Sequence, residues 1–265
     1  MFDYYQCTKC RLVFMSPIPT TDEMRPFYAG GYQKIPETLE ELRSIAKKDA
    51  YRMKPILKYK SGGKLLEIGP WMGIFSCNAK DAGFDVTAID IDHECIDFLN
   101  DIVKIKAVQS SNPAETLSEM SDKFDVIAIW HALEHLPTPW LVVQRAAERL
   151  APGGVLLIAI PNIESNEFSV LKDRWRHLDT PRHLYFYPAD SLAMLCQANG
   201  LTKLSITTTD ELSDSFSWDT WYTWAKTKAD IKYVRGIIGR IRYYFERIQT
   251  NEDSGSGMTA LFKRP

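Results

Sequence analysis

The stretch of sequence that decides the fold reads Leu65-Leu-Glu-Ile-Gly-Pro-Trp-Met-Gly73. It passes from a short apolar run, typical of a buried strand, into a glycine turn that precedes a helical pattern. In open α/β sheets ligands bind at the carboxyl ends of the strands, so this turn is the first candidate for a binding site. Asp90 ends the next strand, 21 residues after Gly69, a spacing that suits a carboxylate binding the two hydroxyls of an adenosine ribose.

The same alternation of short apolar runs and helical stretches continues along the chain. It predicts strands at 64–68, 85–89, 105–109, 124–130 and 155–160, with helices at 74–82, 93–103 and 138–150. A helix at 188–199, a strand at 201–208, a helical stretch at 216–249 and a strand at 257–263 follow. This order indicates an α/β fold with a Rossmann-like, doubly wound, mostly parallel seven-stranded sheet. A loop-rich N-terminal piece precedes the sheet, and the 216–249 stretch forms a helical insertion before the last strand.

Composition and charge exclude several classes of protein. The 265 residues are 45% hydrophobic and 25% charged, the ordinary mix of a globular protein with a core. The 32 Lys and Arg against 34 Asp and Glu give a net charge of −2, which argues against a nucleic-acid partner. The apolar runs are too short for a membrane span, the first residues lack the features of a signal peptide, and five cysteines make no disulfide framework. We therefore expect a soluble, cytoplasmic protein.

A nicotinamide or flavin dinucleotide is a less suitable ligand for the first turn. Its fingerprint requires glycines at positions 69, 71 and 74, and the sequence has Gly69, Trp71 and Ile74. A tryptophan would obstruct the close backbone approach that a pyrophosphate needs. An NAD-dependent oxidoreductase is therefore an alternative that only the predicted fold and Asp90 support.

Four motifs, in the same order along the chain, resemble those of the class I S-adenosylmethionine-dependent methyltransferases. They are Leu66-Glu-Ile-Gly69 with Gly73, Val86-Thr-Ala-Ile-Asp90, Phe124-Asp-Val-Ile-Ala-Ile-Trp-His131-Ala-Leu-Glu134-His135-Leu136, and Leu150-Ala-Pro-Gly-Gly-Val-Leu-Leu-Ile158. The resemblance covers about residues 50–210 and implies S-adenosyl-L-methionine as cofactor, S-adenosyl-L-homocysteine as product and an antiparallel last strand. The implied organisation is a methyltransferase domain over 37–265, preceded by a partial zinc-knuckle and lid segment over 1–36.

The resemblance also implies which residues bind the cofactor. The first turn would line its methionine end, Asp90 would bind the ribose, and Ile91 and Ala114 would flank the adenine. The implied set is Arg52, Glu67, Gly69, Pro70, Trp71, Gly73, Asp90, Ile91, Ala114, Trp130 and His131. Trp71 stands where the family usually has a glycine, and Ser111-Asn-Pro-Ala114 lacks the acid that many members carry before the alanine. These departures leave open a non-catalytic member that kept the fold.

The segment 163–187 carries the first candidates for catalysis. It contains Trp175-Arg-His-Leu-Asp-Thr-Pro-Arg-His183, and a related W-x-H…P-R-H string recurs in the same subgroup of methyltransferases. A hydroxyl acceptor must lose a proton when it is methylated, and histidine, with an ordinary pKa of about 6.5, is the obvious base. We rank His183 first and His177 second, with His131 as the third candidate. The alternative is that these histidines only tie the loop to the sheet.

The sequence predicts no complete metal site. Cys7-Thr-Lys-Cys10 looks like one knuckle of a zinc ribbon, but a structural zinc ion needs four ligands, and the other three cysteines fall singly in predicted helices. His131-Ala-Leu-Glu-His135 fits a zinc-peptidase pattern. Ligands of that kind must share one helix, whereas here the first histidine directly follows a predicted strand. We therefore expect no bound metal.

Two further segments predict contacts around the site. Tyr28 and Tyr32 are candidate residues of an N-terminal lid. Residues 221–247 form a basic amphipathic stretch, in which seven Lys or Arg accompany two acids between Lys226 and Arg247. Such a stretch can lie on an anionic membrane, cap the substrate cleft or form the seam of a homodimer.

Together these features and the resemblance predict an S-adenosylmethionine-dependent methyltransferase. The sequence does not name the acceptor, and the resemblance implies a small metabolite, a quinone precursor or a sugar. Oxygen methylation is the first choice, and carbon or nitrogen methylation the second. One alternative is a non-catalytic binding protein with this fold. The other, less favoured, is the NAD-dependent oxidoreductase.

Overall fold

The structure, a computed structural model, describes residues 2–28, 35–208, 220–226, 236–243 and 254–265. Its strands are β1 Asp3–Gln6, β2 Val13–Ser16, β3 Gly63–Ile68, β4 Phe84–Asp90, β5 Lys106–Gln109, β6 Phe124–Trp130, β7 Leu150–Pro161, β8 Tyr185–Phe186, β9 Thr202–Thr207 and β10 Gly257–Lys263. Its first nine α-helices are α1 Thr21–Tyr28, α2 Leu39–Ala46, α3 Lys54–Leu57, α4 Ile74–Asp81, α5 His93–Phe98, α6 Pro113–Glu119, α7 Pro139–Arg149, α8 Asn166–Leu171 and α9 Ala189–Ala198.

Seven strands form one sheet in the order β5-β4-β3-β6-β7-β10-β9. The first five of these are parallel neighbours, and β10 is antiparallel to both β7 and β9. This confirms the predicted Rossmann-like α/β fold, with its mostly parallel seven-stranded sheet and antiparallel last strand. Since parallel strands end at the same edge, the turns after β3, β4 and β6 lie side by side there.

Helices cover both faces of the sheet because successive residues of a strand point to opposite sides. In β3, Leu65 belongs to the buried cluster that includes α2, α4 and α5, whereas Leu66 belongs to the cluster that includes α6, α7 and α9. Both side chains are fully buried. Burial on both faces explains why the central strands are rich in Val and Ile rather than alternating with polar residues.

Two elements differ from the prediction. The sequence analysis expected no helix between 105–109 and 124–130, but α6 lies there. The side chain of Asn112 accepts a hydrogen bond from the Glu115 N–H, and Pro113 takes the first helical position, where its missing N–H costs nothing. This Asn-Pro pair was a readable helix start. In addition, β7 begins at Leu150, five residues before the predicted start.

The N-terminal piece is more regular than the loop-rich segment that the sequence predicts. β1 and β2 form a hairpin, and β2 pairs with β8 in a second sheet of order β1-β2-β8. Val13 pairs with Phe186, and Phe14 with Tyr185. The hairpin is therefore hydrogen-bonded to part of the predicted 37–265 domain. No local pattern reveals a partner so far along the chain.

The structure describes part of the predicted insertion at 216–249. Residues 220–225 and 236–243 are helical, and Trp221 is fully buried in a cluster with Ile163, Trp175 and Phe186. The rest of this stretch lies outside the described residues, as does Tyr32. No described helix is both long and apolar enough to cross a membrane. Peripheral membrane contact and a homodimer through 221–247 stay predictions.

Candidate active site

The turn between β3 and α4, residues 69–73, is called the cofactor turn. Gly69, Trp71 and Gly73 all have positive φ, at 74°, 53° and 81°. A Cβ on Gly69 would lie 2.5 Å from the Cβ of Ala132, in the turn after β6, and one on Gly73 would lie 2.5 Å from Cδ2 of Leu99. Two glycines are therefore required by the close approach of neighbouring segments as well as by their φ values.

Asp90 holds the cofactor turn from the end of β4. Its Oδ2 accepts a hydrogen bond from the Trp71 N–H at 3.1 Å, and its Oδ1 accepts one from the Asp92 N–H at 2.9 Å. The Cys95 thiol donates to the Trp71 carbonyl. With its backbone held in this way, Trp71 is 42% exposed. Burial raises the pKa of Asp90 above its usual value.

Buried polar groups lie behind the cofactor turn. Glu67 accepts a hydrogen bond from the Ser76 hydroxyl, and burial raises its pKa to about 7. The Arg52 guanidinium pairs with Asp49 at 2.9 Å and lies 5.4 Å from the centre of the Trp130 ring. Within the described residues, Nε of Arg52 and Nε1 of Trp130 are buried without a hydrogen-bond partner. Unpaired donors beside a buried carboxyl group suit a ligand with the carboxylate and ammonium of an amino acid.

The remaining residues of the implied cofactor set lie around the ends of β4 and β5. Pro70 is buried within the cofactor turn, and Ala114 is buried in the first turn of α6. Ile91 is 63% exposed directly after Asp90. The Ser110 N–H donates to the Asp90 carbonyl at 2.7 Å, so the segment before α6 is held against the end of β4. Asp90, Ile91 and the start of α6 therefore share the edge where the strands end.

His131 follows β6 directly and has a φ of 48°. Its N–H donates to the Ala159 carbonyl at 2.8 Å, and its Nδ1 lies 3.5 Å from Oε1 of Glu134. Glu134 is fully buried. Burial alone would raise the pKa of this carboxyl group, but His131, His135 and His183 outweigh that effect and lower the pKa to about 2. The carboxylate is therefore ionised at neutral pH, and His131, Glu134, His135 and His183 together are called the histidine cluster.

His183 reaches this cluster from the segment before β8. Its ring meets that of His135 edge to face, with centroids 4.6 Å apart. Nδ1 of His183 lies 2.7 Å from the His177 carbonyl, whereas the His177 ring packs on Trp175 instead. The Leu184 N–H donates to the Glu134 carbonyl at 2.7 Å, which ties the two segments together. Burial lowers the pKa of His183 to about 3, so its ring is neutral.

The sequence analysis did not assign a role to two residues beside the histidine cluster, Asp179 and Arg182. Asp179 has an oxygen 3.7 Å from Nε2 of His183, and it pairs with Arg182 at 2.5 Å. The charges of Arg182 and Asp179 also act on the Tyr28 hydroxyl, whose pKa burial raises. The end of α1 is thus near the cluster, and the lid stays a prediction. Both residues belong to the motif from Trp175 to His183, and this position was the sequence feature that could have identified them.

The single zinc-ribbon knuckle Cys7-Thr-Lys-Cys10, called the half-knuckle, lies apart from this site, in the turn between β1 and β2. Cys7 and Cys10 are both partly exposed free thiols. Backbone N–H groups of Cys10 and Lys9 donate to the Cys7 sulfur and lower the pKa of its thiol. In the described part of the chain, no third Cys, His, Asp or Glu converges with these two cysteines.

The fold and the site define a class of protein, the Rossmann-like methyltransferases that use S-adenosylmethionine. Residues 34–206 match the family described as "Methyltransferase domain". The match covers well over half of the chain, so this protein belongs to that family. A solved structure described as a SAM-dependent methyltransferase from Archaeoglobus fulgidus has a TM-score of 0.58 at 19% identity, over 83% of this chain and 94% of that one. At this identity the likeness shows the shared fold.

The chain is also similar, at low sequence identity, to curated methyltransferases. A "Ubiquinone biosynthesis O-methyltransferase" of Psychrobacter arcticus is 27% identical over 194 residues, covering 67% of this chain and 72% of the relative. Its counterpart from Xanthomonas oryzae pv. oryzae is 26% identical over 110 residues, covering 38% of this chain and 44% of the relative. The match to the Xanthomonas protein thus spans less than half of that relative's length.

Proposed function

We propose that the protein transfers the methyl group of S-adenosylmethionine to a hydroxyl group of a small molecule, either a quinone precursor or a sugar. The observation that carries this proposal is the pair formed by His131 and the ionised Glu134. The pair follows the end of β6. Ala132, which lies between its two members in sequence, is so close to the cofactor turn that a Cβ added to Gly69 would lie 2.5 Å from its own Cβ. A base is thereby supplied next to the place where the methyl donor would bind.

The cofactor would be held by groups that the fold already orients. Asp90 would accept hydrogen bonds from the ribose hydroxyls, and Glu67 would attract the ammonium group. Arg52 and Trp130 would donate to the carboxylate through their buried, unpaired N–H groups. When bound, S-adenosylmethionine supplies a methyl group activated by a positively charged sulfur. The protein's own contribution would be alignment of the acceptor with that methyl group and removal of the hydroxyl proton.

We assign proton removal to His131 rather than to His183, which the sequence analysis ranked first. An effective base needs a pKa near the working pH, and burial lowers the pKa of His183 to about 3. Glu134 would orient the His131 ring through Nδ1, at 3.5 Å, and stabilise the imidazolium. His177 would position His183 through its carbonyl, at 2.7 Å.

The choice of oxygen as the accepting atom rests on this base and on the relatives from Xanthomonas and Psychrobacter, which are named as O-methyltransferases. Carbon or nitrogen methylation is the second choice. A non-catalytic binding protein would bind the cofactor without turnover. An NAD-dependent oxidoreductase would bind NAD instead.

The first test is calorimetric titration with S-adenosylmethionine, S-adenosylhomocysteine and NAD. We expect micromolar binding of the first two and none of NAD. Release of S-adenosylhomocysteine is then followed with a panel of dihydroxybenzoates and nucleotide sugars. Cofactor binding without turnover on any acceptor would favour the non-catalytic alternative.

His131→Ala should lower kcat by about 10²–10⁴-fold and leave cofactor affinity within a few-fold of the wild type. Imidazole added to the medium should restore part of the turnover, which a purely structural defect would not allow. His93→Ala, at an exposed histidine on α5, is the matched control. Near-normal turnover of His131→Ala would return the role of base to His183.

A further inference from the structure

Three side chains of the histidine cluster converge in a way that methyl transfer does not require. Glu134, His135 and His183 each offer one metal-ligating atom, and these atoms all lie within 4.8 Å of one another. They come from two segments that are distant in sequence and are joined by the Leu184 N–H to Glu134 carbonyl hydrogen bond. The convergence is therefore built by main-chain contacts and does not depend on one flexible side chain.

Hydrogen bonds to carbonyl groups determine the tautomers of both histidines. Nδ1 of His135 lies 3.1 Å from the Arg182 carbonyl, and Nδ1 of His183 lies 2.7 Å from the His177 carbonyl. A carbonyl oxygen only accepts, so each Nδ1 carries the hydrogen. With the hydrogen on Nδ1, the lone pair that can bind a metal ion is the one on Nε2. Metal-ligating histidines are oriented by this same arrangement, with the second ring nitrogen donating to a carbonyl or carboxylate.

The third group, Glu134, is a carboxylate, which adds negative charge and has only acceptor atoms. Its side chain is fully buried, and Nδ1 of His131 lies 3.5 Å from Oε1, at the limit of a hydrogen bond, so both carboxylate oxygens keep acceptor capacity. Asp179 brings a further carboxylate oxygen to within 3.7 Å of Nε2 of His183. Its partner Arg182 is already engaged at 2.5 Å. Acceptors thus face one another, and a cation between them would satisfy them together.

We propose that Glu134, His135 and His183 bind a divalent transition-metal ion. Two imidazole nitrogens and one carboxylate oxygen form a donor set that suits Zn²⁺, Co²⁺ or Fe²⁺ better than Mg²⁺ or Ca²⁺. The ligand set differs from the H-x-x-E-H pattern, in which both histidines share one helix, because Leu133–His135 is a single 3₁₀ turn and His131 directly follows β6. This proposal differs from the sequence analysis, which expected no bound metal.

A metal ion at these residues would act on the acceptor. Three protein ligands would leave coordination positions for an acceptor, and His131 is close to these ligands, with Nδ1 at 3.5 Å from Oε1 of Glu134. Two neighbouring oxygens of an acceptor, as in a vicinal diol, would fit such positions and bring a hydroxyl to the base. Binding of the acceptor by the metal ion rests on the proposed function, whereas metal binding by the three side chains does not.

The test uses the full chain after removal of metals with a chelator, titrated with Co²⁺ while visible absorption is recorded. It is carried out in a Cys7→Ser/Cys10→Ser background so that the half-knuckle does not contribute. We expect one Co²⁺ per chain, displaced by Zn²⁺. His135→Asn and His183→Asn should weaken binding by more than about tenfold, and His93→Asn should not change it.

The isosteric Glu134→Gln variant is measured alongside, because His183→Asn could fail to fold. Absence of Co²⁺ and Zn²⁺ binding in the Cys7→Ser/Cys10→Ser protein would overturn the proposal. Binding unchanged in all three variants would overturn it as well. Metal binding without methyl transfer would refute the proposed function alone. A change of the Co²⁺ bands on addition of catechol would support the acceptor part, and unchanged bands would remove it.

Discussion

The cofactor turn and the histidine cluster occupy neighbouring strand ends but are built by different means. The cofactor turn consists of consecutive residues whose backbone takes positive φ at Gly69, Trp71 and Gly73. The histidine cluster consists of side chains from two segments, and the N-terminal hairpin supports it through Tyr4, whose hydroxyl donates to the His183 carbonyl at 2.8 Å. One region is made by local backbone geometry and the other by long-range contacts.

This difference teaches where each region is vulnerable. At Gly69 an added Cβ would combine backbone strain with a close contact to Ala132, so one substitution should have a large effect on the turn. A cluster of side chains held by several hydrogen bonds should lose stability in smaller steps. Three predictions test this contrast, beginning with the change that should have the largest effect.

Gly69→Ala should reduce the free energy of unfolding by about 2–5 kcal/mol, because it adds strain at φ 74° to a contact 2.5 Å from the Ala132 Cβ. Gly83→Ala is the matched control, with a φ of 92° and no atom within 4 Å. It should cost only the strain, about 1–2 kcal/mol. Ala132→Gly should restore part of the loss in the Gly69→Ala background. Equal effects of the two alanine variants in chemical denaturation would show that packing against the β6 turn is unimportant.

The two buried carboxyl groups should give opposite pH dependences of stability. The pKa of Glu67 is raised to about 7, so its contribution is present below its unfolded pKa of about 4.3 and is lost as pH rises through about 7. The pKa of Glu134 is lowered to about 2, so its contribution is present above about 4.3 and is lost as pH falls through about 2.

The test measures the free energy of unfolding of Glu67→Gln, Glu134→Gln and wild type by chemical denaturation from pH 3 to pH 8, and compares the slopes of that free energy against pH. Relative to Glu67→Gln, the wild type should lose about 1–3 kcal/mol between pH 5 and pH 8. Relative to Glu134→Gln, it should lose stability towards pH 3 instead. Glu94→Gln, at an exposed acid on α5, is the control. Slopes of the same sign would contradict the assignment of one ionised and one largely protonated group.

Tyr4→Phe should have the smallest effect, about 0.5–1.5 kcal/mol, because it removes hydrogen bonds from the Tyr4 hydroxyl and leaves the ring packed. Tyr5→Phe, at a ring that is 52% exposed, is the matched control and should be neutral. Thermal unfolding measures both variants. A loss for Tyr4→Phe as large as that for Gly69→Ala would mean that the hairpin, rather than the cofactor turn, dominates the stability of the site.

Sequence reasoning reached the main sheet because its signals are local. Short apolar runs buried on both faces and the glycine turn after β3 follow from consecutive residues, and all seven strands were predicted. The helix α6 was missed although Asn112 and Pro113 signalled its start. The hairpin and its pairing with β8 could not be predicted in this way, because Val13 and Phe186 meet only after the whole sheet has formed.

The candidate site divides along the same line. The sequence by itself determined the cofactor turn, Asp90 and the presence of a histidine-rich segment, since each is a short run of residues whose chemistry can be read directly. Only the tertiary structure decided that Glu134 pairs with His131, that His183 is buried and neutral, and that both meet His135. Burial and charge depend on which segments pack together, and the pKa and the role of a side chain depend on both.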